Sequence, residues 1–308
     1  MKNDYQPQTI DPSLLDDLSQ LVRLAIREDL DRGIDITTMA LVPPRLKGSA
    51  SLIARKTGII AGIDLVEAML QEMDVGIEWT QLVGDGQEVQ PGQNIANLTG
   101  EARELLTCER TILNFICRLS GIATLTRHYV DTVQGTRARV YDTRKTAPGW
   151  RRLDKYAVRC GGGHNHRRGL YDGILIKDNH LACRAIVDSK LLEPEAAVQL
   201  ARAFVASGGI RFEQPPMIEI EIDRVEQLAS ALSAAPDIVL LDNMTNIQLA
   251  ECVMIRNRQA PHVELEASGG VSLKTIASIA TTGVDRISVG ALTHSAPVLD
   301  IALDWSLL

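Results

Sequence analysis

Six short apolar runs, each ending in charged, amide or glycine residues, recur after about residue 135 and limit the fold more than any other feature. They are ARVYDTRK (138–145), GILIKDNH (173–180), MIEIEID (217–223), DIVLLDNM (237–244), VELEASGG (263–270) and RISVGAL (286–292). Most are separated by helical or loop segments. Strands alternating with helices predict βαβ units and a parallel sheet or barrel. The polar ends comprise Asp142, Arg144 and Lys145; Lys177 to His180; Glu221 and Asp223; Asp242 and Asn243; Ser268 to Gly270; and Gly290. In a β/α barrel, several strands contribute such residues to one active site at their C-terminal ends. The pattern therefore predicts a site as well as a fold.

The first third of the chain mixes helix and strand. Asp11 and Pro12 predict a capped helix with Leu14, Leu18, Leu21, Val22 and Ala25 on one face, closing at Gly33. Residues 48–63 alternate and break at Gly58, which predicts a hairpin. A helix over 65–73 and short strands between 76 and 100 follow, punctuated by Gly84-Asp85-Gly86 and Pro91-Gly92. Residues 101–133 carry helical periodicity, with Gly121 as its weak point.

A chain of 308 residues, 45% hydrophobic and 23% charged, predicts two globular domains. It contains no run of 18 apolar residues and opens on a polar, acidic stretch, so neither a membrane span nor a signal peptide is expected. Its five cysteines are odd in number, scattered and never in a C-x-x-C pair, which predicts reduced thiols in a cytoplasmic protein. The net charge of −7 hides an asymmetry, because Arg137 to Lys177 holds eleven Lys/Arg against three acids. These cations interleave with glycine and strand-like residues, which suits a pocket for an anionic small molecule. Few stacking aromatics accompany them and the surrounding protein is acidic, so nucleic acid is a poor fit.

The strand ends allow several chemistries. Glu221 and Asp242 could hold Mg²⁺ that already carries phosphate oxygens, bond ribose hydroxyls, act as an acid/base pair or form structural ion pairs. Glu219, Glu221 and Asp223 share one face by period 2, so spacing alone leaves open which enters a barrel. Two late turns, at Ser268-Gly269-Gly270 and Gly290, match the phosphate-binding loops that follow the last strands of barrels. Lys177 reads as a Schiff-base amine, a pyrophosphate cation or an ion-pair partner, with the dense local charge favouring electrostatics. His164 and His166 lack further ligands at metal spacing and fit carboxylate binding beside arginines better. Neither a dinucleotide fingerprint nor a P-loop is present.

With these residues in view, the chain resembles the quinolinate phosphoribosyltransferase family of NAD biosynthesis, the type II nicotinate-nucleotide pyrophosphorylases (carboxylating). The matching stretches are CERTILNFICRLSGIAT (108–124), YDTRKTAPG (141–149), KYAVRCGGGHNHRRGLYDGILIKDNH (155–180), IEIEID, VLLDNM, ASGG and GVDRISVGAL (283–292), in family order. AGIDLVEAML and GDGQEVQPG also fit, so the resemblance covers nearly the whole chain. Trp150 and Asp154 are local departures.

The resemblance implies an α/β chain: an α+β sandwich over 1–120, and an incomplete, TIM-like α/β barrel over 121–292 carrying catalysis. It implies that the tail, 293–308, returns to the sandwich. It also implies a homodimer with shared active sites, and leaves a hexamer open. By motif position, Arg110 of the neighbouring subunit, Arg144, His166 and Arg167 would bind the quinolinate carboxylates. Lys145 and Lys177 would lie between quinolinate and phosphoribosyl pyrophosphate. Glu221 and Asp242 would bind ribose hydroxyls and Mg²⁺, and Ser268, Gly269 and Gly290 the 5′-phosphate. Lys145, Lys177, Glu221 and Asp242 form the catalytic set. The alternatives are a nicotinate-type phosphoribosyltransferase, a Schiff-base aldolase on Lys177, and a non-catalytic anion-binding protein on the same fold.

Overall fold

The structure, a computed structural model, describes residues 4–188 and 192–306. Among these the strands are, in chain order, β1 (Lys47–Ala54), β2 (Gly58–Ile59), β3 (Glu78–Gln81), β4 (Glu88–Val89), β5 (Asn94–Glu101), β6 (Arg139–Tyr141), β7 (Gly173–Ile176), β8 (Met217–Ile222), β9 (Ile238–Asp242), β10 (Glu264–Ser268), β11 (Arg286–Ser288) and β12 (Ile301–Ser306). The chain forms two compact units. One comprises residues 1–6, 128–145 and 164–291; the other comprises 7–127, 146–163 and 292–308. Residues 146–163, expected in the barrel, thus belong to the second unit.

The first unit is built on a six-stranded sheet in the order β6-β11-β10-β9-β8-β7, with parallel pairing throughout. All six runs singled out in the sequence form these strands. Helices such as Pro194–Ala206, Leu228–Ser233 and Asn246–Gln259 connect successive strands. The sheet is not closed between β6 and β7. His164 pairs in parallel with Tyr141 and extends the β6 edge. Arg167 then reaches the start of β7, where its Nη1 donates to the Gly173 carbonyl at 2.9 Å. An incomplete barrel is thus bridged by one guanidinium.

Strand parity fills the barrel in layers, as β/α barrels require. At the N-terminal ends lie Arg139, Met217, Ile238, Glu264 and Arg286. One step up are Tyr141, Glu219, Leu240, Glu266 and Ser288, and above them Lys177, Glu221, Asp242 and Ser268. The lowest layer holds charge inside the fold. Arg139 Nη2 donates to both oxygens of Glu264, at 2.8 and 2.9 Å, and Arg286 pairs with the same carboxylate. Asp4 completes the network, accepting from Arg139 Nη1 at 3.1 Å and Tyr141 Oη at 2.8 Å, and pairing with Arg286 at 3.1 Å.

The second unit carries an antiparallel sheet in the order β12-β1-β5-β3 and a two-stranded pair, β2-β4. The hairpin expected over 48–63 does not form. β1 instead takes β5 and β12 as neighbours, and β2 leaves for β4. The helix Pro12–Leu30 begins as predicted, with Asp11 Oδ1 accepting from the Leu14 amide at 2.8 Å. The helix Ala102–Thr132 passes through Gly121 without a break. A Cβ at Gly121 would lie 2.1 Å from the Pro297 carbonyl oxygen, so this glycine admits the returning tail. Leu307 and Leu308 of that tail lie outside the described residues.

Trp150 and Asp154 share one partner. Arg118 donates to both oxygens of the fully buried Asp154, at 2.9 and 3.0 Å, while its guanidinium lies 5.1 Å from the Trp150 ring. No cysteines are bridged. Among the described residues no helix is long and apolar enough to cross a membrane.

Asp85, in the Gly-Asp-Gly turn, accepts from the Ile63 amide at 2.9 Å and from Tyr156 Oη at 2.6 Å. Burial pushes its pKa up to about 6. Folding therefore favours its protonated form. Its stabilising effect is complete below the unfolded value near 3.8 and is lost as pH rises through about 6. Asp85→Asn should flatten the stability curve between pH 4 and 6 by up to about 3 kcal/mol, measured by urea unfolding at stepped pH. An unchanged slope would refute this assignment.

Candidate active site

The barrel unit opens at its C-terminal strand ends into a cavity of about 580 Å³. Its wall contains Thr143, Arg144 and Lys145 after β6; His166 and Arg167 from the edge segment; and Leu175 and Lys177 from β7. Glu221, Leu240, Asp242, Asn243, Glu266, Ser268, Gly269, Gly270 and Ser288 complete it. Of the site residues expected from sequence, nine line this cavity. Arg110 and Gly290 do not. Arg110 is exposed on the Ala102–Thr132 helix of the other unit, and Gly290 is a half-buried residue two positions beyond Ser288.

Each polar group has an elementary reason for its place. Glu221 and Glu219 are two residues apart on β8, so both enter the barrel, while Asp223 lies past the strand end and is exposed. Lys177, just past the end of the neighbouring strand β7, pairs through Nζ with Glu221 Oε2. That contact keeps the ammonium partnered, which opposes use of the amine as a Schiff-base nucleophile. Asp242 ends β9 and accepts from the Asn243 amide group at 2.8 Å. Asn243 itself adopts φ +54° and donates its backbone N–H to the Ser268 carbonyl at 2.9 Å. Gly269, at φ +94°, has room for no side chain, because a Cβ would stand 2.1 Å from Asn243 Oδ1. The turn therefore presents bare backbone toward the cavity.

The cationic wall is held from behind. Asp142 is fully buried; it accepts from the His166 amide at 2.8 Å and from Asn165 Nδ2 at 2.7 Å. Two guanidinium Nε–H groups, on Arg144 and Arg167, are shielded from water and have no hydrogen-bond partner. Both residues line the cavity, so their guanidinium groups are placed to meet an acceptor that arrives with a ligand.

At the cavity floor His166 meets two buried carboxylates, Glu219 and Glu266, to which the sequence analysis gave no role. His166 Nε2 lies 2.9 Å from Glu219 Oε2 and 3.7 Å from Glu266 Oε1. Burial works against the Glu219 charge, but His166 and the hydrogen bonds it accepts outweigh that and hold its pKa down. Burial and then the Glu219 charge push Glu266 up to about 7. The three side chains offer ligand atoms within 4.8 Å of one another. They do not fit a cation, because His166 Nδ1 accepts the Arg167 N–H at 2.8 Å. Its proton is therefore on Nε2, and no ring lone pair is left. The signal for Glu219 and Glu266 was parity, since each lies two residues below Glu221 or Ser268. Glu221 and Asp242, by contrast, supply hard oxygen donors on the open wall and fit a divalent cation carrying its own waters or phosphate oxygens.

A parallel barrel whose mouth combines guanidinium groups, two lysines, two carboxylates and a glycine turn belongs to an enzyme handling small polyanions. Family models describe what the chain matches: the quinolinate phosphoribosyl transferase C-terminal domain over residues 122–304 and the N-terminal domain over 35–120. The chain belongs to the quinolinate phosphoribosyl transferase family. It is 45% identical over 287 residues to the nicotinate-nucleotide pyrophosphorylase [carboxylating] of Mycobacterium leprae, spanning 92% of this chain and 95% of that protein. It is 37% identical over 296 residues to quinolinate phosphoribosyltransferase [decarboxylating] 1b of Nicotiana tabacum, spanning 93% and 82%. A solved nicotinate-nucleotide pyrophosphorylase from Francisella tularensis matches with a TM-score of 0.86 at 36% identity, over 98% of this chain and all of that one.

The two glycines of the turn should differ when substituted. Gly269→Ala forces a Cβ onto Asn243 at a φ unfavourable to alanine, whereas Gly270, at φ +59°, faces open space. Gly269→Ala should cost over about 2 kcal/mol and Gly270→Ala about 1 kcal/mol, compared by thermal melts. Equal losses would show that the Asn243 contact does not restrict the turn.

Proposed function

We infer that the chain is a quinolinate phosphoribosyltransferase. It converts quinolinate and phosphoribosyl pyrophosphate to nicotinate mononucleotide, pyrophosphate and CO₂ in NAD biosynthesis. Family membership along nearly the whole chain supports the reaction. The observation that carries the acceptor assignment is that Arg144 and Arg167 line one cavity together with Lys145 and Lys177. Two guanidinium forks suit a diacid, and each charge-assisted hydrogen bond contributes about 1.5 to 3 kcal/mol. A nicotinate-type enzyme would need only one.

The residues then divide the work. Arg144 and Arg167 hold the two carboxylates and aim the pyridine nitrogen at ribose C1. Arg110, from the neighbouring subunit of a homodimer, completes their ring. His166 has both nitrogens committed to Glu219 and the Arg167 amide, so its part is to place Arg167 rather than to grip a carboxylate through nitrogen. Lys145 and Lys177 stabilise the pyrophosphate as the C1–O bond breaks. Glu221 and Asp242 hold the ribose hydroxyls and offset the positive charge that grows at C1. These two carboxylates would also hold Mg²⁺, which supplies charge neutralisation on the pyrophosphate when bound. The backbone of Ser268 and Gly269, with Gly290 beyond, cradles the 5′-phosphate. The pyridine nitrogen bonds to C1, and the cationic ring draws in the electron pair of the adjacent carboxylate bond. CO₂ departs and a proton takes its place. The net charge of −7 and the unbridged cysteines suit the cytoplasm.

Purified protein with phosphoribosyl pyrophosphate and Mg²⁺ should form nicotinate mononucleotide from quinolinate and not from nicotinate, followed by chromatography. Product from nicotinate alone would reassign the acceptor; no product with intact quinolinate binding would favour the non-catalytic reading. Separately, Arg110→Ala and Lys145→Ala should each be inactive. Mixing them with subunit exchange should restore about a quarter of wild-type activity, because one site of each mixed dimer is whole. A mixture as inactive as its parts would exclude the shared site.

A further inference from the structure

Residues 4–6 belong to the barrel unit although the chain on either side of residue 7 divides there. Tyr5 is buried beneath the cavity beside Met217 and Ile238. Its hydroxyl donates to Glu219 Oε2 at 2.9 Å, the same oxygen that faces His166 Nε2 at 2.9 Å. Its ring lies 4.7 Å from the imidazole, tilted by 31°. His166 in turn accepts the Arg167 amide on Nδ1. Tyr5, Glu219, His166 and Arg167 thus form one chain of contacts, from the barrel interior to the backbone amide of Arg167, a residue of the cavity wall.

We propose that Tyr5 is a positioning residue for the acceptor end of the site, setting Arg167 through Glu219 and His166; this rests on the reading of the cavity as a quinolinate site. Glu219 Oε1 has no hydrogen-bond partner, so Oε2 carries the orientation of the carboxylate. With the Tyr5 donor present, that carboxylate has two fixed contacts; without it, the carboxylate pivots about His166 alone. The imidazole then loses its fixed ring plane, and the Arg167 amide its fixed acceptor. Arg167 closes onto Gly173 at 2.9 Å, so a small rotation at His166 reaches the cavity wall directly. Lys177, Glu221 and Asp242 do not depend on this chain, so the phosphoribosyl half should be spared.

The test is Tyr5→Phe, which keeps the ring and removes the donor. The expected result is a quinolinate KM raised about fivefold or more, with kcat and the phosphoribosyl pyrophosphate KM within about twofold. Glu219→Gln should raise the same constant, and the double variant should be no worse than the larger single effect, because Tyr5 acts only through Glu219. In ¹⁵N-histidine NMR, the His166 ring nitrogens, assigned by their loss in His166→Asn, should shift in Tyr5→Phe. An unchanged quinolinate KM, a uniform fall in kcat, or additive single effects would overturn the proposal. Should wild-type protein not turn over quinolinate, the functional reading fails on its own, and unshifted His166 nitrogens in Tyr5→Phe would still refute the coupling.

Discussion

Arg286 is a guanidinium without solvent exposure inside a parallel sheet, and the catalytic unit is organised around making that tolerable. An unpaired buried charge costs several kcal/mol, and the cost falls only when partners approach with good geometry. Glu264 on the adjacent strand and Asp4 from the chain's start supply the opposite charge, and the Tyr141 ring lies 4.6 Å from the guanidinium. Arg139 joins the same carboxylates. These contacts require β6, β10 and β11 to be in register, so the charge network and the strand order specify one another.

The layers above inherit that register. A one-residue slip would turn Glu221, Asp242 and Ser268 out of the cavity and face their apolar neighbours inward. The middle layer separates a structural base from a reactive mouth. There Glu219 accepts from Tyr5 and faces His166, while burial pushes Glu266 up to about 7. The mouth sets Arg144 and Arg167 on the cavity wall, where a dianionic acceptor can meet them.

Much of this was legible before any coordinates. All six strands were visible because apolar runs between polar ends are the direct imprint of two-sided burial. Seven of the nine cavity-lining residues expected from sequence stand at or just past strand ends, which converge in a barrel, while His166 and Arg167 came from the family resemblance. Other features were hidden for physical reasons. The alternation in 48–63 records burial but not a partner, so a hairpin and two separate pairings read alike. Gly121 looks weak by propensity, and only the Pro297 carbonyl at its side explains it. Trp150 and Asp154 looked like unrelated local changes until Arg118 stood between them. Tyr5 carries no motif at all.

Sequence alone determined the strand pattern and the residue types at the strand ends, and its longer motifs carried the family resemblance. The first two depend on residue type and on periods of two to four residues, which are local quantities. Tertiary structure decided which of Glu219, Glu221 and Asp223 lines the cavity, which nitrogen of His166 carries the proton, and why residues 4–6 belong to the barrel. Those depend on contacts between segments distant in the chain, such as Tyr5 or His166 to Glu219. No local period encodes such a contact, because its energy comes from burial and hydrogen bonding that exist only once the barrel has formed.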